Sequence, residues 1–292
     1  MMETNGRIKI LVCCHKEYDL PDDPLYLPIQ VGKAIAKKDL GYLGDNEDLS
    51  GKNDNISHLN PIYCEMTALY WAWKNIKDYY PNIEYLGLCH YRRYFNASHL
   101  NIKDTTIFAG KVMRQIGRLL SGNCHEPIIY EPIDKIHGFS AGFYSGSRKL
   151  EMMVVQNELI YTKPIKIITC DVRSFFEVIG RNYLSLLEEL IESSFPNYSL
   201  AFKKVLDGNE LVSANMIILK TSLLDEYCSF VFSVLQLHRD EVIKRGICEK
   251  PETEGVYARV SGYLAELLTA TYVEKRKNEI RSISVGKYFV EE

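Results

Sequence analysis

Short apolar runs broken by polar turns dominate the first third of the chain. Ile8-Lys9-Ile10-Leu11-Val12-Cys13-Cys14 is rich in β-branched residues and predicts a buried strand that ends in His15-Lys16. Tyr85-Leu86-Gly87-Leu88-Cys89 predicts a second one, and it opens directly into His90-Tyr91-Arg92-Arg93-Tyr94-Phe95. Arg92 and Arg93 cannot be core without partners, so the strand is expected to deliver His90, Arg92 and Arg93 to its C-terminal edge. In open α/β sheets that edge is where ligands bind. Two adjacent arginines there suit an anion, phosphate above all, because guanidinium pairs with it bidentately. The plainer alternative is a strand-end arginine pair satisfied by nearby carboxylates.

Between these strands Pro21, Pro24 and Pro28 keep the chain irregular, residues 29–36 suggest a short helix, and residues 41–58 form a long polar loop. Asn60-Pro61 predicts a helix start, with Asn60 as cap and the helix running to about Lys77. That helix is apolar almost all round and is therefore expected to be buried. Glu65, inside it, either complements the helix N-terminus or lines a pocket. Further on, residues 113–120 have helical spacing, 128–130 suggest a short strand, and the Gly- and Ser-rich stretch 140–148 looks like a flexible connector. Residues 165–170 predict a strand ending at Asp171, 183–192 an amphipathic helix, and 211–219 a strand with Asn215 in its middle. A long helix capped by Ser222 runs to about His238, and a last apolar helix over 262–273 holds Glu266. Lys275, Arg276, Lys277, Arg281 and Lys287 form a basic tail suited to solvent or to anionic lipid. The alternation of strands and helices over the first 95 residues argues a parallel or mixed sheet flanked by helices.

Composition narrows the classes. The 292 residues suit one large α/β domain or two small ones. A net charge of -3 implies no general attraction to nucleic acid. The eight cysteines show no CxxC spacing and sit mostly in apolar runs, which suggests reduced thiols rather than disulfides or zinc. With a polar N-terminus and no 18-residue apolar stretch, the chain is expected in the cytoplasm, any membrane association being peripheral, at the inner face. Tyrosine is abundant, at 20, and its polar tip suits partly wet pockets such as sugar sites. Dinucleotide, P-loop, nucleophile-elbow and kinase motifs are absent.

Several blocks together resemble one family. They are Val12-Cys13-Cys14-His15-Lys16 with Tyr26-Leu27-Pro28, Asp54-Asn55-Ile56-Ser57, Asn60, and Tyr63-Cys64-Glu65-Met66-Thr67-Ala68-Leu69-Tyr70-Trp71-Ala72-Trp73-Lys74-Asn75. The others are 86–95, Asn215-Met216, Glu226-Tyr227-Cys228, and Arg259 with Gly262-Tyr263-Leu264-Ala265-Glu266. They are similar to the DUF4422 family of bacterial capsular and exopolysaccharide biosynthesis proteins, classed as glycosyltransferases. Ile217 and Leu267 depart from it, standing where an aromatic residue and an arginine are usual. The resemblance implies an α/β, GT-A-like (Rossmann-like) fold: a mixed, mainly parallel sheet flanked by helices, with a helical C-terminal part. It implies a single domain over 1–292, with residues 1–95 as the nucleotide-binding half and about 140–292 as the acceptor-side half. It also implies transfer of a hexose, galactose or galactofuranose, from a nucleotide-sugar donor such as a UDP-hexose to a saccharide or lipid-linked acceptor. Donor and diphosphate contacts are expected from His15, Lys16, Asn55, Ser57, Asn60, His90, Tyr91, Arg92, Arg93 and Asn215. Glu65, Glu266 and Asp171 are the candidate catalytic carboxylates. No Asp-x-Asp occurs in the chain, so no divalent metal and no cofactor are expected, fixed positive charge taking the metal's place. The competing readings are a phosphate-handling hydrolase and a non-catalytic sugar-binding or scaffold subunit.

Overall fold

The computed structural model describes residues 6–98, 129–177, 180–247 and 259–291. The helix expected over 113–120 lies outside the described residues. Strand β1 (Ile8–Cys14) is buried along its whole length. Its alternate residues feed two separate cores, Ile8, Ile10, Val12 and Cys14 on one face and Leu11 and Cys13 on the other. Period-two alternation has this result wherever both faces of a sheet are covered. β1 pairs in parallel with β2 (Tyr26–Gln30) and with β4 (Tyr85–His90), and β2 pairs in parallel with the short β3 (Leu43–Gly44). Residues 29–36 are therefore mostly strand end and turn, with one 3-10 turn at Lys33–Ile35, because the β-branched and aromatic residues of β2 fit an inner edge of the sheet.

Beyond β4 the sheet turns antiparallel. β5 (Arg93–Asn96) folds back through the turn Tyr91-Arg92, with His90 paired to Arg93. The second sheet is made of β6 (Ile129–Tyr130), β9 (Ile165–Ile167) and β10 (Glu210–Leu211). The main sheet takes β7 (Ile133–His137), β8 (Leu159–Thr162), β11 (Ile217–Lys220) and β12 (Ser282–Glu291). β12 lies antiparallel to β5 and parallel to β7 and β8, while β11 joins β8 to β4, so these strands close partly on themselves. The sheet is mixed, and its parallel character is confined to the β3-β2-β1-β4 half and the β7 and β8 pairings of β12. Gly87 sits where β4 is flanked by β1 and β11: a Cβ there would come within 2.8 Å of Ile218 and 3.1 Å of Ile10.

One face of the sheet is covered by α1 (Asn60–Tyr63), α2 (Met66–Tyr79), α5 (Arg181–Ser194), α6 (Pro196–Leu206), α7 (Thr221–Lys244) and α8 (Val260–Arg276), with the short α4 (Val172–Phe176) beside them. The opposite face is covered by α3 (Ala141–Gln156). The stretch read as a flexible connector is thus the start of a helix. Its Gly146 permits close packing, since a Cβ would meet the Ser98 hydroxyl at 3.3 Å and Tyr288 at 3.5 Å.

Two elements expected to be continuous are broken. Cys64, at φ 51° and ψ -133°, separates α1 from α2, and Asn60 is not a cap. The Asn60 amide instead donates to the Cys64 carbonyl at 2.7 Å and to the Thr67 hydroxyl at 3.1 Å, bridging the break. The strand expected over 211–219 is interrupted by Ala214 (φ 64°) and Asn215 (φ 52°), both left-handed. β10 and β11 on either side belong to different sheets. The polar loop 41–58 is pinned rather than loose. Asp45, fully buried, accepts from the Gly32 and Lys33 amides at 2.8 and 3.0 Å, from the Thr67 hydroxyl at 2.6 Å, and from Ser57.

The basic tail is also accounted for internally. Arg276 pairs with Glu279 at 2.7 Å, Lys277 with Glu274 at 2.5 Å, and Arg281 with Glu158 at 3.7 Å. Lys287 is wholly buried in β12. Among the described residues no helix is long and apolar enough to cross a membrane.

Candidate functional site

A cleft of about 770 Å³ opens at the carboxyl ends of β1, β2 and β4. Parallel strands necessarily end together there, and the crossovers leave a crevice between them. β1 contributes Cys13 and His15, β2 is followed by Val31, and the β4–β5 hairpin supplies His90, Tyr91 and Arg93. The broken helix brings Asn60, Pro61, Cys64 and Glu65, and the α8 region brings Arg259 and Glu266. Ile129, Glu131, Ile165, Ser213 and Ala214 complete the wall.

Arg93 has no carboxylate partner among the described residues; its guanidinium lies 5.7 Å from the Phe289 ring centre, at the cleft wall. Arg92, at the hairpin turn, is not part of the lining and lies over the rings of Tyr91 and Phe289 at 5.2 and 5.4 Å. His90 Nε2 donates to the Ala214 carbonyl at 2.8 Å. Tyr91 stacks on Tyr18 with ring centres 3.6 Å apart, and His15 packs edge-on against Tyr91 at the rim. Burial, with the positive charges of Lys16, Arg259 and Arg92, lowers the His15 pKa, which favours the neutral ring at pH 7.

The two carboxylates differ in their partners. Glu65 stands at the first turn of α2, and its Oε1 accepts the Asn215 amide at 2.8 Å. Glu266 is pushed up to about 7, first by burial and then by the charge of Glu65, against the Ala214 backbone hydrogen bond and the charges of Lys287 and Arg93. Arg259 Nε lies 3.3 Å from Cys64 Sγ, and burial together with the charge of Glu65 pushes that thiol up, so it stays protonated. Among the described residues no group of three or more His, Cys, Asp or Glu is arranged to hold a metal ion.

Residues 9–278 match the model of a family described as a domain of unknown function, DUF4422. The chain belongs to the DUF4422 family. Among curated proteins none matches it. A solved structure, the apo form of the WbbM bifunctional glycosyltransferase, superimposes with a TM-score of 0.76 at 21% identity over 98% of this chain. The chain spans 45% of that protein's length, and at this identity the likeness is one of fold.

In this DUF4422 chain the cleft gathers His15, Asn60, Glu65, His90, Tyr91, Arg93 and Glu266 from across the sequence. Six other expected site residues, Arg92 among them, do not line it. Asp171 caps α4: hydrogen bonds from Ser174, its amide at 2.8 Å among them, hold the carboxyl below its usual range, and it does not line the cleft. Ser57 is wholly buried against Asp45, and Asn55 Oδ1 accepts the Ser57 amide at 3.2 Å, so both brace the loop. Lys16 lines an adjoining basic hollow with Lys37 and Lys38. Asn215 is wholly buried, its amide donating to Glu65.

Sequence reasoning missed Glu131 and Ser213, and it placed Lys287 in the tail. The Lys287 ammonium contacts Glu131 at 2.5 Å and the Ser213 hydroxyl at 3.0 Å, tying the cleft wall to β12. The alternation Ile283, Val285, Lys287, Phe289 in a β-rich run was the available signal that Lys287 belonged to a strand.

Proposed function

We propose that this protein is a GT-A-like glycosyltransferase that moves a hexose, galactose or galactofuranose, from a UDP-linked donor to a growing capsular or exopolysaccharide acceptor. The observation that carries the reading is the cleft at the carboxyl ends of the parallel strands, where Arg93 and Arg259 share the lining with Glu65 and Glu266. Glycosyl transfer needs positive charge where the diphosphate leaves and a carboxylate to take the acceptor proton. The likeness to a glycosyltransferase fold and the family match support it. Because the chain covers 45% of a protein named bifunctional, the reading assigns it one transfer activity.

The test is incubation with a panel of UDP-hexoses and lipid-linked or soluble saccharide acceptors. Transfer product is the expected result. Acceptor-independent phosphate release would mark a hydrolase, and binding without turnover a sugar-binding or scaffold subunit. UDP at 100 times its Kd should add about 2.7 kcal/mol of stability by mass action, read as a rise in Tm. No shift with millimolar UDP or UDP-sugars would remove the donor assignment.

The reading is also metal-independent. A hard cation wants several ionised oxygen ligands. Here burial raises the Glu266 pKa to about 7, Glu65 is bonded to Asn215, and Glu131 is paired with Lys287. Arginine neutralises phosphate charge without coordinating a metal. Transfer should persist in EDTA, and complete loss restored by Mn²⁺ would overturn this part of the reading.

A further inference from the structure

The left-handed pair Ala214-Asn215 touches three cleft residues at once. The Ala214 carbonyl accepts from His90, the Ala214 backbone hydrogen-bonds Glu266, and the Asn215 side chain donates to Glu65. Left-handed backbone at two successive non-glycine residues persists only where the surroundings enforce it, and it gathers at functional sites. Behind Asn215 runs a buried relay. The Thr269 hydroxyl donates to Asn215 Oδ1 at 2.8 Å, and the Tyr227 hydroxyl lies 2.8 Å from Thr269 Oγ1. Thr269 has a single proton, spent on Asn215, so Tyr227 is the donor to Thr269. The relay fixes which way the Asn215 amide faces: Oδ1 toward Thr269, Nδ2 toward Glu65. All three residues are wholly buried. Glu65 Oε2 has no hydrogen-bond partner among the described residues, and Glu65 lines the cleft.

We propose that the Ala214-Asn215 turn gives the two cleft carboxylates different tasks, Asn215 acting as the positioning residue that aims Glu65 at the acceptor hydroxyl. The inference rests on the glycosyl-transfer reading. In the step it serves, the acceptor oxygen bonds to the anomeric carbon and its proton passes to Glu65. The bond from that carbon to the diphosphate breaks, and the diphosphate leaves with the electron pair, facing Arg93. An amide that orients a base changes the rate of this step, not the hold on the donor.

Asn215→Gly tests it, because glycine accepts the left-handed backbone and removes only the amide. The expected result is a kcat lowered by about 10²-fold, with donor KM and the UDP-induced Tm shift within about twofold of wild type. Thr269→Val, which removes the relay hydroxyl, should cost about 10–100-fold, the scale for partners that orient a metal's ligands, and Thr269→Ser should restore turnover. Asn215→Gly with wild-type kcat would overturn the positioning role. So would a loss of turnover matched by an equal loss of the UDP shift, since Asn215 would then act on the donor. A wild-type protein that transfers from no donor would instead overturn the glycosyl-transfer reading, and the base role of Glu65 with it.

Discussion

Glu65→Gln should abolish most turnover, by a factor of about 10²–10⁴ in kcat, while UDP still raises the Tm as in wild type. The amide keeps the shape and the place at the start of α2 but cannot take a proton. Glu266→Gln should behave differently, because an amide resembles the protonated acid that burial and the Glu65 charge already favour. It should retain most turnover near pH 6. Its mark is on stability. With the folded value near 7 and an ordinary value of 4.5, native Glu266 keeps a proton that the unfolded chain has lost across that window. Stability contributed by the neutral form is therefore full below about pH 4.5 and declines as pH rises toward 7. Glu266→Gln, neutral throughout, should show less of that decline in denaturant melts at pH 5 and pH 7.5. Equal loss of turnover in both variants would show that the two carboxylates are not divided as described.

Arg93→Ala should lower kcat by about 10²–10³-fold, the effect of removing one transition-state donor, and Arg93→Lys should recover only part of it. The hairpin at Tyr91-Arg92 sets Arg93 into the cleft and Arg92 over the rings of Tyr91 and Phe289. Arg92 does not line the cleft, so the loss of turnover in Arg92→Ala should stay below the about 10²–10³-fold of a transition-state donor. Steady-state kinetics of both variants with the donor identified in the panel makes the comparison. A larger loss for Arg92→Ala than for Arg93→Ala would mean that the diphosphate lies on the outer side of the hairpin.

The contrast between these arginines shows how far the chain can be read without coordinates. Adjacent residues look equivalent in a sequence. Only Arg93 lines the cleft, and the strand that carries it there is held by β12, almost 200 residues away. The same holds for Glu65 and Glu266. Each was legible as a carboxylate embedded in an apolar helix, but their coupling needs the N-terminus of α2 and the first half of α8 to meet over the sheet.

Local pattern determined what short-range physics can determine. The buried strands at 8–14 and 85–90, the apolar helices around 66–79, 221–244 and 260–276, and the cationic end of β4 all follow from periodicity and from the cost of burying charge. The family blocks carried the relationship itself. Where the pattern failed, a long-range partner overrode it. Asp45 turned a polar loop into a pinned one, Glu131 and Ser213 allowed Lys287 into the core, and Glu65 with Thr269 held Asn215 in a turn where the apolar run around it suggests a strand. Asp171, a strand-end acid by pattern, became a helix cap because Ser174 lies one turn on. Sequence alone thus determined which segments are buried and where charge gathers. Tertiary structure decided which charges face one another, because an ion pair or a buried amide is stable only with a partner that local spacing does not name.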